Sequence, residues 1–196
     1  MRLAPLRPLV PSLALLIVAS LLPRAAALAV DWQVDPARST IAVVVRQGGG
    51  SFEARFERFA AEVAFDPERL EATRVVITVD TGSFASGDGR RDQVAVSDAF
   101  LAARSHRKAR YATRAVRPLG GDRYEVEADL DLRGVTRPLT HAATIVAGPE
   151  EARATGEVEI ARADWGVGQG QPPGGAEVGA VVVVRFDLAA TRRKDG

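Results

Sequence analysis

The stretch Tyr124-Glu125-Val126-Glu127-Ala128-Asp129-Leu130-Asp131-Leu132 alternates an apolar or aromatic side chain with a carboxylate along its whole length. Successive side chains of an extended strand point to opposite faces, so this pattern predicts a strand with one buried and one solvated face. The same period of two recurs at Val75, Ile77 and Val79 against Arg74, Thr78 and Asp80, and at Ile41, Val43 and Val45 against smaller or polar neighbours. Further strands are expected over Phe52 to Phe65 (one or two), Ala109 to Arg117, Thr140 to Val146, Thr155 to Ala163 and Val178 to Ala189. The last holds Val181 to Val184, apolar on both faces, as in a strand that is covered twice or closes a barrel. Turn chemistry separates the strands: Asp66-Pro67, Gly120-Gly121-Asp122, Gly148-Pro149 and the stretch from Gly168 to Gly175. About eight regularly spaced strands argue for an all-β sandwich or antiparallel barrel. One segment breaks the rhythm. From Arg90 to Ala103 the residues Val94, Ala95, Ala99, Leu101 and Ala102 fit a helical period, which predicts a single inserted helix or lid.

Composition narrows the chemistry. The 196 residues are 46% hydrophobic and 26% charged, the range of an ordinary globular domain, which excludes disorder, collagen and coiled coil. Cysteine is absent, so the chain has no disulfide framework, no thiolate metal site and no thiol nucleophile. Lys and Arg number 26 against 25 Asp and Glu, a balance that removes any global electrostatic case for nucleic acid.

The N-terminus reads as an address. Arg2 and Arg7 precede the uncharged run Leu13 to Leu22, which is followed by Pro23 and small residues ending in Ala27-Leu28-Ala29. A basic start, a short apolar run and a small-residue cleavage site are the three parts of a secretory signal peptide. The run falls short of the roughly 20 residues of a stable bilayer span. Residues 1–29 are therefore expected to be removed near Ala29, with an uncleaved anchor as the alternative. Three basic residues, Arg2, Arg7 and Arg24, would leave with no acidic one, so the exported chain would carry a formal charge of minus two. No Pro-, Ser- or Gly-rich linker divides residues 30–190, which are expected to form one domain followed by a basic polar tail, 191–196.

Catalytic constellations are scarce. His106 and His141 lack the spacing that places two imidazoles on one helical face, and strand ends or solvent are their expected places. No serine occupies a G-x-S-x-G elbow, and Ser83, Ser86 and Ser97 sit in turn-like contexts. Gly166, Gly168 and Gly170 come close to a dinucleotide fingerprint but lack its third position and its βαβ setting. Glu125, Glu127, Asp129 and Asp131 fall on an outward phase, while Asp92, Asp98 and Asp164 flank the helix or a tight turn and are expected to cap backbone N–H groups. Between Ala99 and Gly121 the cations Arg104, Arg107, Lys108, Arg110, Arg114 and Arg117 stand without an acid. A solvated outer face explains them; attraction to anionic head groups or a pyrophosphate is the functional alternative. Small residues expected on the inward phase, Ala42, Ala54, Ala61, Ala109, Ala115, Ala128 and Ala143, would leave room inside a barrel, unless they pack tightly.

Five collinear motifs resemble the YceI family of exported polyisoprenoid-binding proteins. They are Trp32-x-Val34-Asp35-Pro36-Ala37-Arg38-Ser39; Phe56-x-x-Phe59 with Phe65-Asp66-Pro67; Arg91-Asp92 through Ser97-Asp98-Ala99-Phe100; Leu130-Asp131-Leu132-Arg133-Gly134-Val135-Thr136-Arg137-Pro138-Leu139; and Ile160-Ala161-Arg162-Ala163-Asp164-Trp165-Gly166-Val167. The resemblance implies an extended lipocalin-like antiparallel barrel with one helix, an elongated apolar pocket, a bound isoprenoid such as a quinone or polyprenyl chain, and neither catalytic residues nor another cofactor. The chain departs from the family pattern at Arg38, where a histidine is usual, at Ala99-Phe100 in place of paired aromatics, and at Ser105-His106-Arg107 where the family has K-Y-P.

The expected function is a periplasmic carrier or reservoir for an isoprenoid lipid or quinone. Phe52, Phe56, Val75, Ile77, Phe84, Phe100, Tyr111, Leu130, Leu132, Ile145, Trp165 and Phe186 are the expected lining or lid residues. Transient contact with a membrane surface and a homodimer accompany this reading; no nucleic acid and no metal do. The rival is a stress-related interaction module whose barrel is filled by its own side chains. A third reading is a hydrolase using Asp92, Asp98 or Asp164, which requires a carboxylate of raised pKa in the cavity.

Overall fold

The computed structural model describes residues 30–168 and 178–193. The expected signal segment, all of the Gly168 to Gly175 stretch beyond Gly168, and residues 194–196 of the expected tail lie outside the described residues.

Eleven strands and one α-helix occupy the described chain: β1 (Asp31–Val34), β2 (Thr40–Gln47), β3 (Gly50–Phe56), β4 (Phe59–Ala64), β5 (Arg74–Asp80), β6 (Phe84–Ala85), α1 (Gly89–Val96), β7 (Lys108–Gly120), β8 (Arg123–Leu132), β9 (Val135–Ala147), β10 (Glu151–Ala161) and β11 (Val181–Arg192). Eight of the strands close a ring in the order β1-β4-β5-β7-β8-β9-β10-β11, with β11 returning to β1. Every pairing in the ring is antiparallel. The remaining three extend from the first half of β11 in the order β2-β3-β6.

Two breaks in the chain and the added two-residue strand β6 explain why eight expected strands become eleven. β11 is long enough to pair with β2 from Val182↔Val45 to Asp187↔Thr40 and with β1 from Ala190↔Val34 to Arg192↔Trp32. Between them Pro36–Arg38 form a single 3₁₀ turn, started by Asp35, whose carboxylate accepts the Ala37 N–H at 2.9 Å. The Phe52 to Phe65 segment breaks likewise at Glu57 and Arg58, where the Arg58 N–H donates to the buried Ser83 hydroxyl at 3.0 Å. The carboxy-terminal strand runs through Arg192, two residues into the stretch expected as tail.

The wall follows the alternation of the sequence. Tyr124, Val126 and Ala128 are buried, while the carboxylates of β8 stand on the outer face. There Arg117 pairs with Glu125 and Glu127, Arg114 meets Asp129 at 3.5 Å, and Asp131 accepts the Thr136 hydroxyl at 2.9 Å. Three of the six cations of the basic run thus find acids, Arg114 and Arg117 across the strand pair and Arg107 at Asp80, 3.7 Å away. The register of β7 on β8 slips between Thr113 and Ala115, a bulge at Arg114 that reverses the phase. Ala115 was expected to face inward; the bulge turns it away and brings Val116 in. Ala42 is also buried on the wrong phase for the interior, since Ile41 and Val43 beside it take the inner face of β2.

Different clusters seal the two ends. At one, Trp32, Phe65, Tyr124 and Ala190 pack with Val63 and Leu70, the Trp32 indole donates to the Phe65 carbonyl at 2.9 Å, and the Phe65 and Tyr124 rings meet edge to face. Burial of each large apolar side chain contributes about 1.5–3 kcal/mol. At the other, Val43, Val45 and Ala54 pack with Phe52, Phe56 and Phe84. Here α1 begins at Asp88, whose carboxylate accepts the N–H groups of Arg90 and Arg91. The helix expected to reach Ala103 stops at Val96: the Ser97 hydroxyl bends back to the Val94 carbonyl at 2.6 Å, and Ala102 lies at φ +49°. Beyond Ser97 the chain turns tightly instead, the Phe100 N–H donating to the Ser97 carbonyl and the Ser105 N–H to the Ala102 carbonyl, each at 3.0 Å.

Candidate functional site: an apolar cavity along the barrel axis

Inward side chains of β5, β7, β8, β9, β10 and β11, together with those of β2, β3, β6 and α1, surround a cavity of about 300 Å³. Eleven of the twelve expected residues face it: Phe52, Phe56, Val75, Ile77, Phe84, Phe100, Tyr111, Leu130, Leu132, Ile145 and Phe186. Trp165 does not. It is buried beside the barrel wall in the 3₁₀ turn Arg162–Trp165, and its indole donates to the Leu130 carbonyl at 3.1 Å. That bond to the backbone of β8 holds the indole away from the cavity.

Sequence reasoning passed over much of the wall. Ile41, Val43 and Val45 of β2, Val182 and Val184 of β11, and Val158 and Ile160 of β10 also face the cavity. Their alternation is visible in the sequence, so parity alone would have found them. Among the expected small residues, Ala109 and Ala143 face the open volume, whereas Ala54 and Ala128 are packed out of contact with it.

The few polar side chains in the wall have definite places. At the helix end, the Arg91 guanidinium lies 4.1 Å from the centroid of the Phe52 ring, a cation–π contact, and Gln47 lies on the same rim. Arg162 is 5% exposed and donates to the carbonyls of Gly179, Val167 and Val178 at 2.9, 2.8 and 3.2 Å. Among the described residues no carboxylate pairs with it. Toward the Trp32 end, the Thr113 hydroxyl accepts the Val75 N–H at 2.9 Å, and the Thr73 hydroxyl is buried with no partner.

Midway, Tyr111 Oη and His141 Nε2 lie 2.9 Å apart. His141 was expected at a strand end or in solvent; it shares the inner parity of Leu139, Ala143 and Ile145 on β9 and so faces the cavity. Burial lowers the His141 pKa below the ordinary imidazole value and raises that of Tyr111 above the ordinary phenol range, so both side chains are neutral near pH 7.

The expected acid–base candidates stand elsewhere. Among the described residues the wall holds no Asp or Glu. Asp92 accepts the Ser86 N–H and hydroxyl at 2.9 and 2.6 Å, which ties the turn before α1 to the helix, while Asp98 and Asp164 are exposed. The helix cap is Asp88, and the 3₁₀ turn containing Asp164 has no side-chain cap.

A closed antiparallel barrel around an apolar cavity, with a short helix in its wall, agrees with comparison to known families, where the YceI-like domain matches residues 32–190. The chain belongs to the YceI-like family. A UPF0312 protein of Vibrio vulnificus is 31% identical over 168 residues, 84% of this chain and 78% of that one. A UPF0312 protein of Shewanella denitrificans is 31% identical over 181 residues, covering 88% and 95%. Among solved structures, BcnA of Burkholderia cenocepacia superposes with a TM-score of 0.78 at 28% identity, over 81% of this chain and all of that one. A polyisoprenoid binding domain from Saccharophagus degradans superposes with a TM-score of 0.68 at 15% identity, over 84% and 99%, a likeness of fold. The YceI-like barrel therefore accounts for nearly all of the described chain.

Proposed function

We propose that this YceI-like protein is an exported, non-catalytic binder of one isoprenoid lipid, a quinone or a polyprenyl chain, which it holds as carrier or reservoir in the periplasm. The observation that carries the reading is the cavity: about 300 Å³ of open space enclosed by six strands of the ring together with β2, β3, β6 and α1, and walled almost entirely by apolar side chains. A barrel of this size is either filled by its own side chains or holds one small ligand, and open apolar volume favours the second. Burial of a long hydrocarbon at about 25 cal/mol per Å² supplies affinity without a polar constellation. The polyisoprenoid-binding neighbour supports the ligand class, and the basic, apolar and small-residue order of residues 1–29 supports export.

Native mass spectrometry of the protein recovered from a bacterial periplasm, followed by solvent extraction, tests the proposal. A stoichiometric isoprenoid adduct is the expected result. A bare protein that takes up neither added quinone nor polyprenol overturns it in favour of the filled-barrel module.

A further inference from the structure

We infer that the Tyr111–His141 pair is the station for the ligand's oxygen: it takes a neutral hydroxyl on a long apolar chain, midway along the cavity. The inference rests on the lipid-binding reading and specifies which end-group chemistry the cavity accepts and where.

The pair interrupts an otherwise apolar stretch of wall. On β9 the inward neighbours of His141 are Leu139, Ala143 and Ile145, and across β7 and β8 they include Ala109, Val126 and Leu130. Two polar side chains placed there lose hydration that one mutual hydrogen bond repays only in part, and an oxygen brought by the ligand supplies a further bond. The proton arrangement is set from outside the cavity. His141 Nδ1 lies 3.1 Å from the Ala142 carbonyl, which can only accept, so Nδ1 carries the proton and Nε2 accepts the Tyr111 hydroxyl. Tyr111 Oη then keeps a free lone pair for a ligand hydroxyl. A ligand carbonyl finds no donor here, because Nδ1–H faces Ala142 and the phenol proton is engaged by Nε2. The His141 ring is held in this arrangement by edge-to-face contact with Phe186, their centroids 5.6 Å apart. A phosphate or diphosphate at this station would be a charge buried against neutral groups, whereas the cations of the wall, Arg91 and Arg162, stand toward the α1 end.

Lipid-stripped protein expressed from the full chain and its Tyr111→Phe variant are titrated with four probes: farnesol, a decyl-tailed benzoquinone, farnesyl diphosphate and the hydrocarbon farnesene. Removal of one hydrogen bond is expected to weaken farnesol by about five-fold and to leave the benzoquinone and farnesene unchanged. Nitrogen-15 shifts of His141 in the unmodified protein provide a second readout: farnesol leaves Nδ1 protonated and shifts Nε2, and farnesene shifts neither. Equal affinities of both proteins for every probe, with no shift change at His141, overturn the station and leave the lipid-binding proposal standing. Tight binding of farnesyl diphosphate alone, insensitive to the variant, overturns the station in favour of the cations at the α1 end. Failure of every probe to bind the unmodified protein overturns both proposals.

Discussion

The ring of Phe186 lies on the bare backbone of Gly156, its direct partner across β10 and β11. A β-carbon at position 156 would stand 2.5 Å from Phe186 Cζ and 2.9 Å from the Ala142 carbonyl. Gly156 therefore fixes where the Phe186 ring sits, and through Phe186 the ring of His141. Gly156→Ala is expected to cost about 1–3 kcal/mol, the ordinary range for overpacking, and to push Phe186 into the open volume. Urea unfolding together with titration by a fluorescent fatty probe checks this. An unchanged midpoint with unchanged uptake would contradict the packing described.

Arg162 should prove a structural cation. Its guanidinium closes the backbone on both sides of residues 169–177 by bonding to Val167 before them and to Val178 and Gly179 after. Arg162→Met leaves those carbonyls without their donor and is expected to lose about 3 kcal/mol. Arg162→Lys should recover little of it, since an ammonium cannot span carbonyls on several sides as the planar fork does. Chemical denaturation of both variants checks the order.

Acid sensitivity should be traceable to His141. Burial lowers its pKa in the folded protein, so as pH falls below about 6.5 the unfolded chain takes up a proton that the folded one refuses. Stability is then lost as pH falls through about 6.5, with a slope of at most about 1.4 kcal/mol per pH unit from this group, and the loss levels off once the folded imidazole protonates. The double variant Tyr111→Phe/His141→Leu, which leaves no orphan phenol, should flatten that slope. Asp66 acts in the same sense but in a separate, lower window. Its carboxylate is held below the ordinary range by hydrogen bonds from Arg69 and the Glu68 N–H, so its contribution persists above pH 4 and is lost only at lower pH.

The alternation in β8 was sufficient to read a half-buried strand, its inner face and its outer ladder of carboxylates, because a period of two has only one structural meaning. Eleven of the twelve expected lining residues sit on strands, or on the turn after α1, where that parity or the apolar spacing held. Three of the misplacements come from local features of the backbone, whereas Ala42 and His141 follow plain strand parity and were placed against it. A bulge at Arg114 turned Ala115 away, a 3₁₀ turn carried Trp165 out of the wall, and tight turns took the place of helix after Ser97. The Tyr111–His141 contact joins residues 30 apart across three strands, and nothing in either local sequence announces it. Gly156 was likewise silent, because what requires a glycine there is a ring on the neighbouring strand.

Filling the cavity should separate the two readings of the barrel. Ile77 faces the open volume and pairs with Tyr111 across β5 and β7. Ile77→Trp is expected to cost about 1–3 kcal/mol while keeping the fold by circular dichroism, and to reduce lipid uptake at least about ten-fold. Uptake at the unmodified level would place the ligand elsewhere.

The most direct test of the central claim is native mass spectrometry of the protein taken from the compartment where it resides, before any exposure to detergent. The account predicts one isoprenoid lipid per chain, released on unfolding and absent from Ile77→Trp. A chain mass without adduct, unchanged by incubation with quinone or polyprenol, would contradict it.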